Sequence, residues 1–511
     1  MSDDTPNDLT GLTKDELYAR AQEHDIEGRS TMSKEELRAA LSEAEAPVPQ
    51  ERTVDRVEDF RRLAEARAAG EFVLLPRSLT GQDRRLHVRE TLREDHTTRI
   101  MSRAADAELK FEELADSLFS FFRGTALLFY RDMAGDDAWM PTVLALGDVH
   151  PENFGVMPNA HNVPIFSVND FDEALYAPFT WDIKRGAVGF MAAAKEIAGY
   201  GHKKRRRIVR HFVKGYVAGI TNFAEHGTES DDEMRLDSAP DLIVDLIEDA
   251  EESRAEWLQD DYLDDYKRGF RADDEHVPIS SRREEFQEII DRLITENDIE
   301  IPDRTAGMRV KDVCIRRGQG TASLGLDRFY VLIEGPQADG TDDVIIELKQ
   351  ARRSALTGLV PPTPYGLDTW GDTGAQGHRA GRIVHAQGVQ LVRGDVFYGS
   401  VEIDGVSFMS RERAPFRDDI DLDDLSKKEW RRYAKICGWV LAHAHALSDE
   451  LGALEHDIEP EILAAIGEVD LFVDDIVQFA EEAMDRLKKD HRTFQVDHAM
   501  GAFQQVDRIF V

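Results

Sequence analysis

Two acidic motifs, separated by a short apolar run, constrain this chain more than any other feature. They are GDVHPENFG at residues 147–155 and VNDFDEA at residues 168–174. Asp148 and Asn153 are five positions apart, and Asp170 follows a short strand predicted at residues 163–168. A carboxylate that orients a hydroxyl, with an amide oxygen and a strand-end carboxylate that ligate metal ions, is the layout of a phosphoryl-transfer site. Acidic residues are abundant in this chain, so the hypothesis depends on the combination and not on one spacing.

The two motifs resemble the catalytic and metal loops of aminoglycoside and choline phosphotransferases, which belong to the protein-kinase-like superfamily. Those loops read H-G-D-x-x-x-x-N and I-D-F/W-x-x-A. The resemblance implies that Asp148 is the catalytic residue, that Asn153 and Asp170 are Mg²⁺ ligands, and that ATP is the cofactor. The histidine that usually precedes the catalytic aspartate by two positions is Leu146 here. In the following WDIKR segment, Asp182 matches the aspartate that braces the catalytic loop in that family.

A glycine-rich segment lies far downstream, between strands predicted at residues 313–316 and 328–333. Glycines between two strands let the backbone close over phosphates, with N–H groups directed at them. A third predicted strand, at residues 344–349, ends at Lys349, which can then reach phosphate oxygens. Strand alternation places Lys349 on the same face as Ile345. The residues predicted to bind the cofactor here are Gly318, Gly320, Thr321, Ser323, Gly325 and Lys349. A hairpin with an inert turn and a water-facing lysine is the alternative.

The order of these segments predicts a circular permutation. In the phosphotransferase families the glycine-rich loop and lysine come first, whereas here Asp148 and Asp170 precede Gly318 and Lys349. Permutation is tolerated where the chain termini lie close together at the surface. The predicted fold is α+β, a two-lobed protein-kinase-like fold with the helical catalytic lobe first and an antiparallel β nucleotide lobe second. A small helical module precedes both lobes.

The motifs and their order are also similar to those of the DUF2252 family. That family carries F-x-F-x-R-G, G-D-x-H-x-x-N-F-G, N-D-F-D-E and W-D-x-K-R, and downstream G-x-G-S-x-G and a strand that ends in K-E-A. This chain has FSFFRG at residues 119–124 and LKQA at residues 348–351, and the resemblance covers roughly residues 55–450. Within these motifs we expect Arg123, His150 and Asp172 to support the site. The family implies no substrate.

One departure from the kinase pattern concerns the partner of the strand lysine. Kinases pair this lysine with a glutamate on a helix. The helix predicted at residues 377–392 contains no glutamate, and Gln387 is its candidate for a neutral hydrogen bond to Lys349. The absent glutamate favours a protein that binds nucleotide without catalysis, whereas Asp148, Asn153 and Asp170 favour an enzyme.

The N-terminus is predicted to be a separate module. Thr13 with Glu16 forms a capping box at a first helix, and Ser33 caps a second. This helix–extended–helix pattern resembles SAP and Rho N-terminal modules, which implies a nucleic-acid partner, although a protein partner fits equally well. The predicted division is module 1–45, linker 46–54, helical catalytic lobe with an insert 55–300, β-rich nucleotide lobe 301–420, and C-terminal helices 421–511.

Composition indicates the solvent and the cell compartment in which the protein works. Its 511 residues include 100 Asp and Glu against 63 Lys and Arg, a net charge of −37. Such a surface is typical of proteins from salt-accumulating archaea, so we expect a halophilic archaeon as the source. No stretch is long and apolar enough for a membrane span, and no signal peptide is apparent, so the predicted location is cytoplasmic. The two cysteines are predicted to be buried thiols, and the basic run at residues 202–207 an exposed helical face.

These observations predict an ATP- and Mg²⁺-dependent phosphotransferase that acts on a hydroxyl of an unknown small molecule or protein. One alternative is transfer of AMP, which needs the same parts with the nucleotide inverted. Another is a non-catalytic nucleotide-binding or scaffold protein that acts through its N-terminal module. All three depend on residues 147–174 and residue 349 meeting in one cleft.

Overall fold

Two units make up the chain in the computed structural model, residues 1–54 and 55–511. The structure describes residues 56–504 except 251–252, 267, 318–325, 363–376 and 451, and eight positions of the first unit (13, 14, 17, 32–34, 37 and 38). In that first unit, the N–H of Leu17 donates to the carbonyl of Thr13, and that of Leu37 to the carbonyl of Ser33. Both leucines are buried. Helical hydrogen bonding therefore begins at the two predicted caps, and the predicted linker at 46–54 lies outside the described residues.

The second unit begins with a run of helices, in the part of the chain predicted to be a helical lobe. They are α1 (Val57–Ala68), α2 (Gly81–Asp95), α3 (Thr97–Ser102), α4 (Ala104–Asp116), α5 (Leu118–Arg123) and α6 (Ala126–Arg131). Ser117 caps α5 by accepting a hydrogen bond from the N–H of Ser120. The carboxylate of Glu196 accepts from the N–H groups of Leu118 and Phe119 at the same end. These contacts fix α5, which ends at Arg123.

Two small antiparallel sheets follow and carry the acidic motifs on the loops between their strands. Their strands are β1 (Thr142–Ala145), β2 (Phe154–Pro158), β3 (Pro164–Val168), β4 (Leu175–Pro178) and β11 (Asp418–Asp419), paired as β1–β4 and as β11–β2–β3. The first acidic motif fills the connection from β1 to β2, and the second fills the connection from β3 to β4. Because β2 and β3 form a hairpin and β1 pairs with β4, the two connections emerge side by side.

A larger antiparallel sheet holds the downstream motifs. It contains β5 (His276–Pro278), β6 (Val310–Arg316), β7 (Arg328–Ile333), β8 (Val344–Gln350), β9 (Gly399–Ile403) and β10 (Val406–Arg413), in the order β5-β6-β7-β8-β10-β9. Ile346 and Leu348 pack in the core of one face, with Phe286 of the helix Arg283–Glu296. Ile345 packs on the other face with Tyr330. The predicted alternation along β8 is therefore confirmed.

The molecule has further helices, most of which pack in the core around the small sheets. They are α7 (Phe179–Glu196), α8 (His202–His226), α9 (Asp241–Asp249), α10 (Arg254–Trp257), α11 (Arg283–Glu296), α12 (Gly377–Gln390), α13 (Lys427–Ala446), α14 (Glu459–Ile466) and α15 (Val469–Ala499). Helices α8 and α13 approach closely at two glycines. A Cβ on Gly215 would lie 2.1 Å from the carbonyl of Lys435, and one on Gly438 would lie 2.0 Å from that of Phe212. The fold is mixed α+β with antiparallel sheets, as predicted at that level.

The β-rich part of the molecule starts earlier than residue 301. The acidic and apolar pattern of residues 231–298 predicts solvated helices of an insert, but β5 is the edge strand of the large sheet and α11 covers one of its faces. A strand of three residues is too short to produce an alternating pattern in the sequence. The sequence of α11 indicates an amphipathic helix, but it does not indicate which sheet the helix covers.

Three further sequence predictions concern local environment. Cys314 and Cys437 are buried free thiols, as predicted. The basic run forms the exposed first turns of α8, where Arg206 pairs with Glu481 of α15 at 2.9 Å. Among the described residues, no helix is both long enough and apolar enough to cross a bilayer.

Candidate active site

One cleft is lined by predicted site residues from both regions of the sequence. Its volume is about 420 Å³. One wall comes from the small sheets and their loops and includes Asn153 and Asp170, and the other comes from the large sheet and includes Arg328, Lys349 and Arg411. The remaining lining residues are Arg123, Glu152, Val156, Asn169, Arg413, Arg417, Asp418 and Asp419. Segments nearly two hundred positions apart in sequence therefore face one another.

Asn153 and Asp170 are held by hydrogen bonds within their own loops. The amide nitrogen of Asn153 donates to the backbone carbonyl of Asp148 at 2.6 Å. The Oδ1 atom of Asp170 accepts from the N–H of Asp172 at 3.0 Å, and the N–H of Asn169 donates to the carbonyl of Asn153 at 3.2 Å. These bonds leave the side-chain oxygen of Asn153 and the Oδ2 of Asp170 available as metal ligands, and both residues line the cleft. Carboxylate and amide oxygens fit Mg²⁺.

Asp148, the predicted catalytic residue, is not among the residues that line the cleft, and an arginine holds its side chain. The Nη2 and Nε atoms of Arg185 lie 2.7 and 3.1 Å from its Oδ1. The guanidinium is fully buried and stacks on the ring of Phe122 at 3.8 Å from the centroid. Burial raises the pKa of Asp148, Arg185 opposes this, and the nearby charge of Asp170 adds to the rise. Asp148 keeps about 15% of its side chain exposed, so solvent or a substrate can reach it.

A buried aspartate holds the turn that precedes Asp148. Asp182, at the start of α7, accepts hydrogen bonds from the N–H groups of Leu146 and Gly147 at 2.6 and 2.9 Å. The Nε2 atom of His445 donates to the same carboxylate at 3.1 Å, and its Nδ1 atom lies 2.9 Å from the hydroxyl of Tyr216. Asp182 therefore lies where the phosphotransferase resemblance places a bracing aspartate, and α13 contributes to the same network.

The geometry of this turn requires glycine at position 147. Its φ is +77°, in the left-handed region that favours glycine. A Cβ at this position would also lie 2.4 Å from the backbone carbonyl of Glu173. Gly147 thus lets the first acidic loop lie directly against the second.

Lys349 is paired with a residue of the second acidic loop. Its Nζ lies 2.6 Å from Oδ2 of Asp172, and the two side chains are 8% and 27% exposed. Burial acts to raise the pKa of Asp172, but Lys349, and after it Arg411 and Arg382, bring that pKa below its usual value. The carboxylate partner of Lys349 is therefore an aspartate two positions after Asp170.

Helix α12, which contains no glutamate, contacts the second acidic loop through an arginine. The side chain of this arginine binds backbone carbonyls of the loop. Arg382 of α12 is buried, and its guanidinium donates to the carbonyls of Asp172 and Ala174, both at 2.6 Å. Gln387 of the same helix does not hold Lys349 through its oxygen, because Oε1 is buried and has no hydrogen-bond partner among the described residues. The prediction that Gln387 holds the lysine is therefore corrected in favour of Asp172.

A partly buried glutamate, Glu173, also ties the second loop to the chain that follows β8. The N–H of Ala355 donates to the carboxylate of Glu173, and the hydroxyl of Ser354 donates to its backbone carbonyl at 2.7 Å. Burial raises the pKa of Glu173 to about 7, against the lowering influence of Arg352 and of the Ala355 N–H. This side chain therefore carries a proton well above the pH at which an ordinary glutamate loses it.

The wall of the cleft on the large sheet is cationic in a chain whose net charge is −37. Arg411 of β10 and Arg328 of β7 both pair with Glu347, which lies between them on β8. Glu347 is 1% exposed, and Arg411 and Arg328 lower its pKa although burial opposes them. One fixed carboxylate thus positions two guanidinium groups at the cleft. Guanidinium groups match phosphate oxygens in geometry and charge.

Arg123 and His150 differ in their access to the cleft. Arg123 lines it and pairs with Glu152 of the first acidic loop. His150 is 2% exposed, packs edge-on against Phe119, and accepts a hydrogen bond from the N–H of Glu152 at 3.3 Å. Burial, with Arg123 and Arg185 after it, lowers the pKa of His150 well below its usual value, so the ring is neutral. Its role here is to shape the loop.

The predicted glycine-rich loop, with Gly318, Gly320, Thr321, Ser323 and Gly325, lies outside the described residues. Its flanking strands are described. They are β6, which ends at Arg316, and β7, which begins at Arg328, and they are antiparallel neighbours. Arg328 itself lines the cleft. The predicted contribution of the loop stays a prediction.

Sequence reasoning assigned no role to three side chains that hold the site, namely Arg185, Arg382 and Arg411. Arg185 could have been singled out, because it lies in the WDIKR segment three positions after Asp182, on the same side of a helix. The others come from segments with no local signal for this cleft.

Comparison with known proteins gives one match. A family model described as an uncharacterized protein conserved in bacteria (DUF2252) matches residues 103–497. No curated protein and no solved structure matches the chain.

Proposed function

This chain belongs to the DUF2252 family, and we propose that it is an ATP- and Mg²⁺-dependent phosphotransferase with a permuted, two-lobed kinase-like arrangement. The observation that carries the proposal is the cleft itself. Metal-ligand oxygens of Asn153 and Asp170 line one wall, and Lys349 with two arginines lines the other. Phosphates with their metal ions need negative ligands on one side and positive charge on the other.

Each wall has a separate task in this proposal. Asn153 and Asp170 would hold Mg²⁺, which neutralises charge on the transferred group when it is bound. Lys349, Arg328 and Arg411 would hold the phosphate oxygens, and the ion pair with Asp172 keeps Lys349 beside the metal ligands. Fixed charges of this kind stabilise a phosphoryl-transfer transition state without rearrangement.

Asp148 would orient the acceptor hydroxyl and take its proton. The acceptor oxygen forms a bond to the γ-phosphorus, the bond from that phosphorus to the bridging oxygen breaks, and ADP leaves. Arg185 keeps Asp148 in one position and opposes the rise that burial gives its pKa. An ionised carboxylate beside the acceptor hydroxyl is what this reaction class uses.

Labelled ATP tests the proposal directly. The purified full-length chain is incubated with Mg²⁺ and either γ-labelled or α-labelled ATP in high-salt buffer. The label is then measured in inorganic phosphate, in the protein and in added small-molecule hydroxyl compounds. In the absence of the natural acceptor, water can accept the phosphoryl group. Release of γ-label as inorganic phosphate is therefore the smallest activity that we expect to detect. We expect γ-label to be transferred or released by the wild type and lost in Asp148→Asn and Asp170→Asn.

Asp116→Asn is the matched control, because Asp116 is an exposed aspartate at the end of α4 and does not line the cleft. Covalent α-label on protein would replace phosphoryl transfer by AMP transfer. Absence of any label movement, or full activity of Asp148→Asn, would contradict an enzyme of either kind.

A further inference from the structure

A second group of carboxylates lies away from the cleft, where α13 ends and α14 begins. Asp449 ends the short 3₁₀ turn that follows α13, and Glu459 is the first residue of α14. Carboxylate oxygens of Asp449, Asp457 and Glu459 all lie within 4.8 Å of one another. None of these residues lines the cleft. Three like charges this close repel one another unless a proton or a cation intervenes.

Two buried carboxylate oxygens, one in this group and one beside it, have no hydrogen-bond partner among the described residues. Glu459 is 3% exposed, and its Oε1 accepts no hydrogen bond from any described residue. Glu229, in the loop after α8, is 8% exposed, and its Oε2 is unpartnered in the same sense. A buried carboxylate oxygen without a hydrogen-bond donor is costly and rare in folded proteins. These atoms therefore point to a partner of positive charge.

The pKa values of these carboxyl groups agree with a partner of positive charge. Burial, followed by Glu450, Asp457 and Glu229, raises the pKa of Asp449 to about 6. Burial, followed by Asp449, Glu229 and Asp457, raises the pKa of Glu459 to about 7. The carboxylates thus raise one another's pKa values, and a bound cation would relieve this repulsion.

We propose that Asp449, Asp457 and Glu459, with Glu229 beside them, bind one divalent cation, and that this cation is Ca²⁺. All the donors are oxygen atoms, which suits hard cations and not zinc or copper. Ca²⁺ accepts six to eight oxygens in flexible geometry, so a loop residue such as Asp457 can ligate it together with backbone carbonyls and water. The proposal is independent of any activity at the cleft.

The position of the site gives the cation a structural task. Ser448, next to Asp449, accepts a hydrogen bond from the N–H of Leu144 at 3.0 Å, and His445, one turn earlier, contacts Asp182. A cation bound to Asp449 would fix the end of α13, and with it the contacts that brace the turn before Asp148. We therefore expect the bound cation to stabilise the fold around that turn.

Ca²⁺ binding by full-length protein tests the site. The chain is stripped of metal and studied in KCl buffer by titration calorimetry and thermal unfolding, in an Asp170→Asn background that removes a metal ligand of the cleft. We expect one Ca²⁺ per chain and a rise of several degrees in the unfolding midpoint at saturation. Asp457→Asn should weaken Ca²⁺ binding at least about tenfold. Asp457 is exposed, so this variant should fold even where Glu459→Gln does not.

Glu455→Gln is the matched control, because Glu455 is an exposed acid in the same loop that does not belong to the group. It should bind Ca²⁺ as its parent does. No Ca²⁺ binding in the Asp170→Asn chain, or equal affinity in the Asp457→Asn chain, would overturn the site, and tighter binding of Mg²⁺ than of Ca²⁺ would overturn the assignment of the ion. Since ATP binding is measured separately, failure here says nothing against the cleft.

Discussion

The Nζ atom of Lys349 lies 2.6 Å from Oδ2 of Asp172, and this ion pair joins the two walls of the cleft. It connects the end of β8 to the loop that carries Asp170, so the residues proposed to hold phosphate and metal are fixed relative to one another. Arg382 holds the same loop from the backbone side. The site therefore depends on contacts between segments that are remote in sequence.

Breaking this pair should destabilise the fold. Lys349→Met leaves the largely buried carboxylate of Asp172 without its cation, and we expect a loss of about 2 kcal/mol in the free energy of unfolding. Asp172→Asn should cost a similar amount, and the double variant less than the sum of the two. Guanidinium chloride unfolding in high salt measures all three. A double-mutant cycle without coupling energy would show that the ion pair does not contribute to stability.

The turn before Asp148 should tolerate no side chain. In Gly147→Ala, both the positive φ and the collision of the new Cβ with the carbonyl of Glu173 oppose folding, and we expect a loss of more than about 2 kcal/mol. Gly199→Ala is the matched control, since its φ is +60° but its Cβ would meet no atom within 4 Å. It should lose only about 1 kcal/mol. Equal losses in the two variants would remove the role given to the contact with Glu173.

Stability should depend on pH through Glu173. Its pKa is about 7 in the folded chain and 4.5 in an unfolded one, so the folded state binds more protons between these values. The contribution of this group is then complete below pH 4.5 and is lost as pH rises toward 7. Glu173→Gln should gain about 2 kcal/mol over the wild type between pH 5 and 7. Unfolding free energies that differ by a constant at every pH would contradict the raised pKa.

If the cleft is an enzyme site, Arg185 should set the acid limb of its pH–rate profile. Arg185 lowers the pKa of Asp148, so Arg185→Met should raise that pKa further. Asp148 acts as a base only when ionised, so the acid limb of kcat/KM for ATP hydrolysis should move to higher pH. The measurement is valid where circular dichroism shows the variant folded. An unmoved limb would mean that another group controls it.

Local patterns predicted much of the element order. The helix predicted at residues 377–392 is α12. The strand that ends in Lys349 and the alternation along it were also predictable, because hydrophobic periodicity is a local signal.

The partners across the cleft were not predictable in the same way. Periodicity places Lys349 on a face of β8, but it does not show that Asp172 lies opposite. The resemblance to kinases predicts a partner for Lys349 on helix α12, where the partner does not lie. His445 and Arg382 belong to long amphipathic helices, in which nothing local separates a bracing residue from an ordinary buried one. Only tertiary packing shows which segment each of them meets.

Binding of ATP with Mg²⁺ tests the central claim, that the two walls form one nucleotide site. Titration calorimetry in high-salt buffer would compare the wild type with Lys349→Met on one wall and Asp170→Asn on the other. We predict one binding site in the wild type, and affinity lowered at least about tenfold, or 1.4 kcal/mol, by either substitution. No binding by the wild type, or unchanged affinity in both variants, would contradict the account.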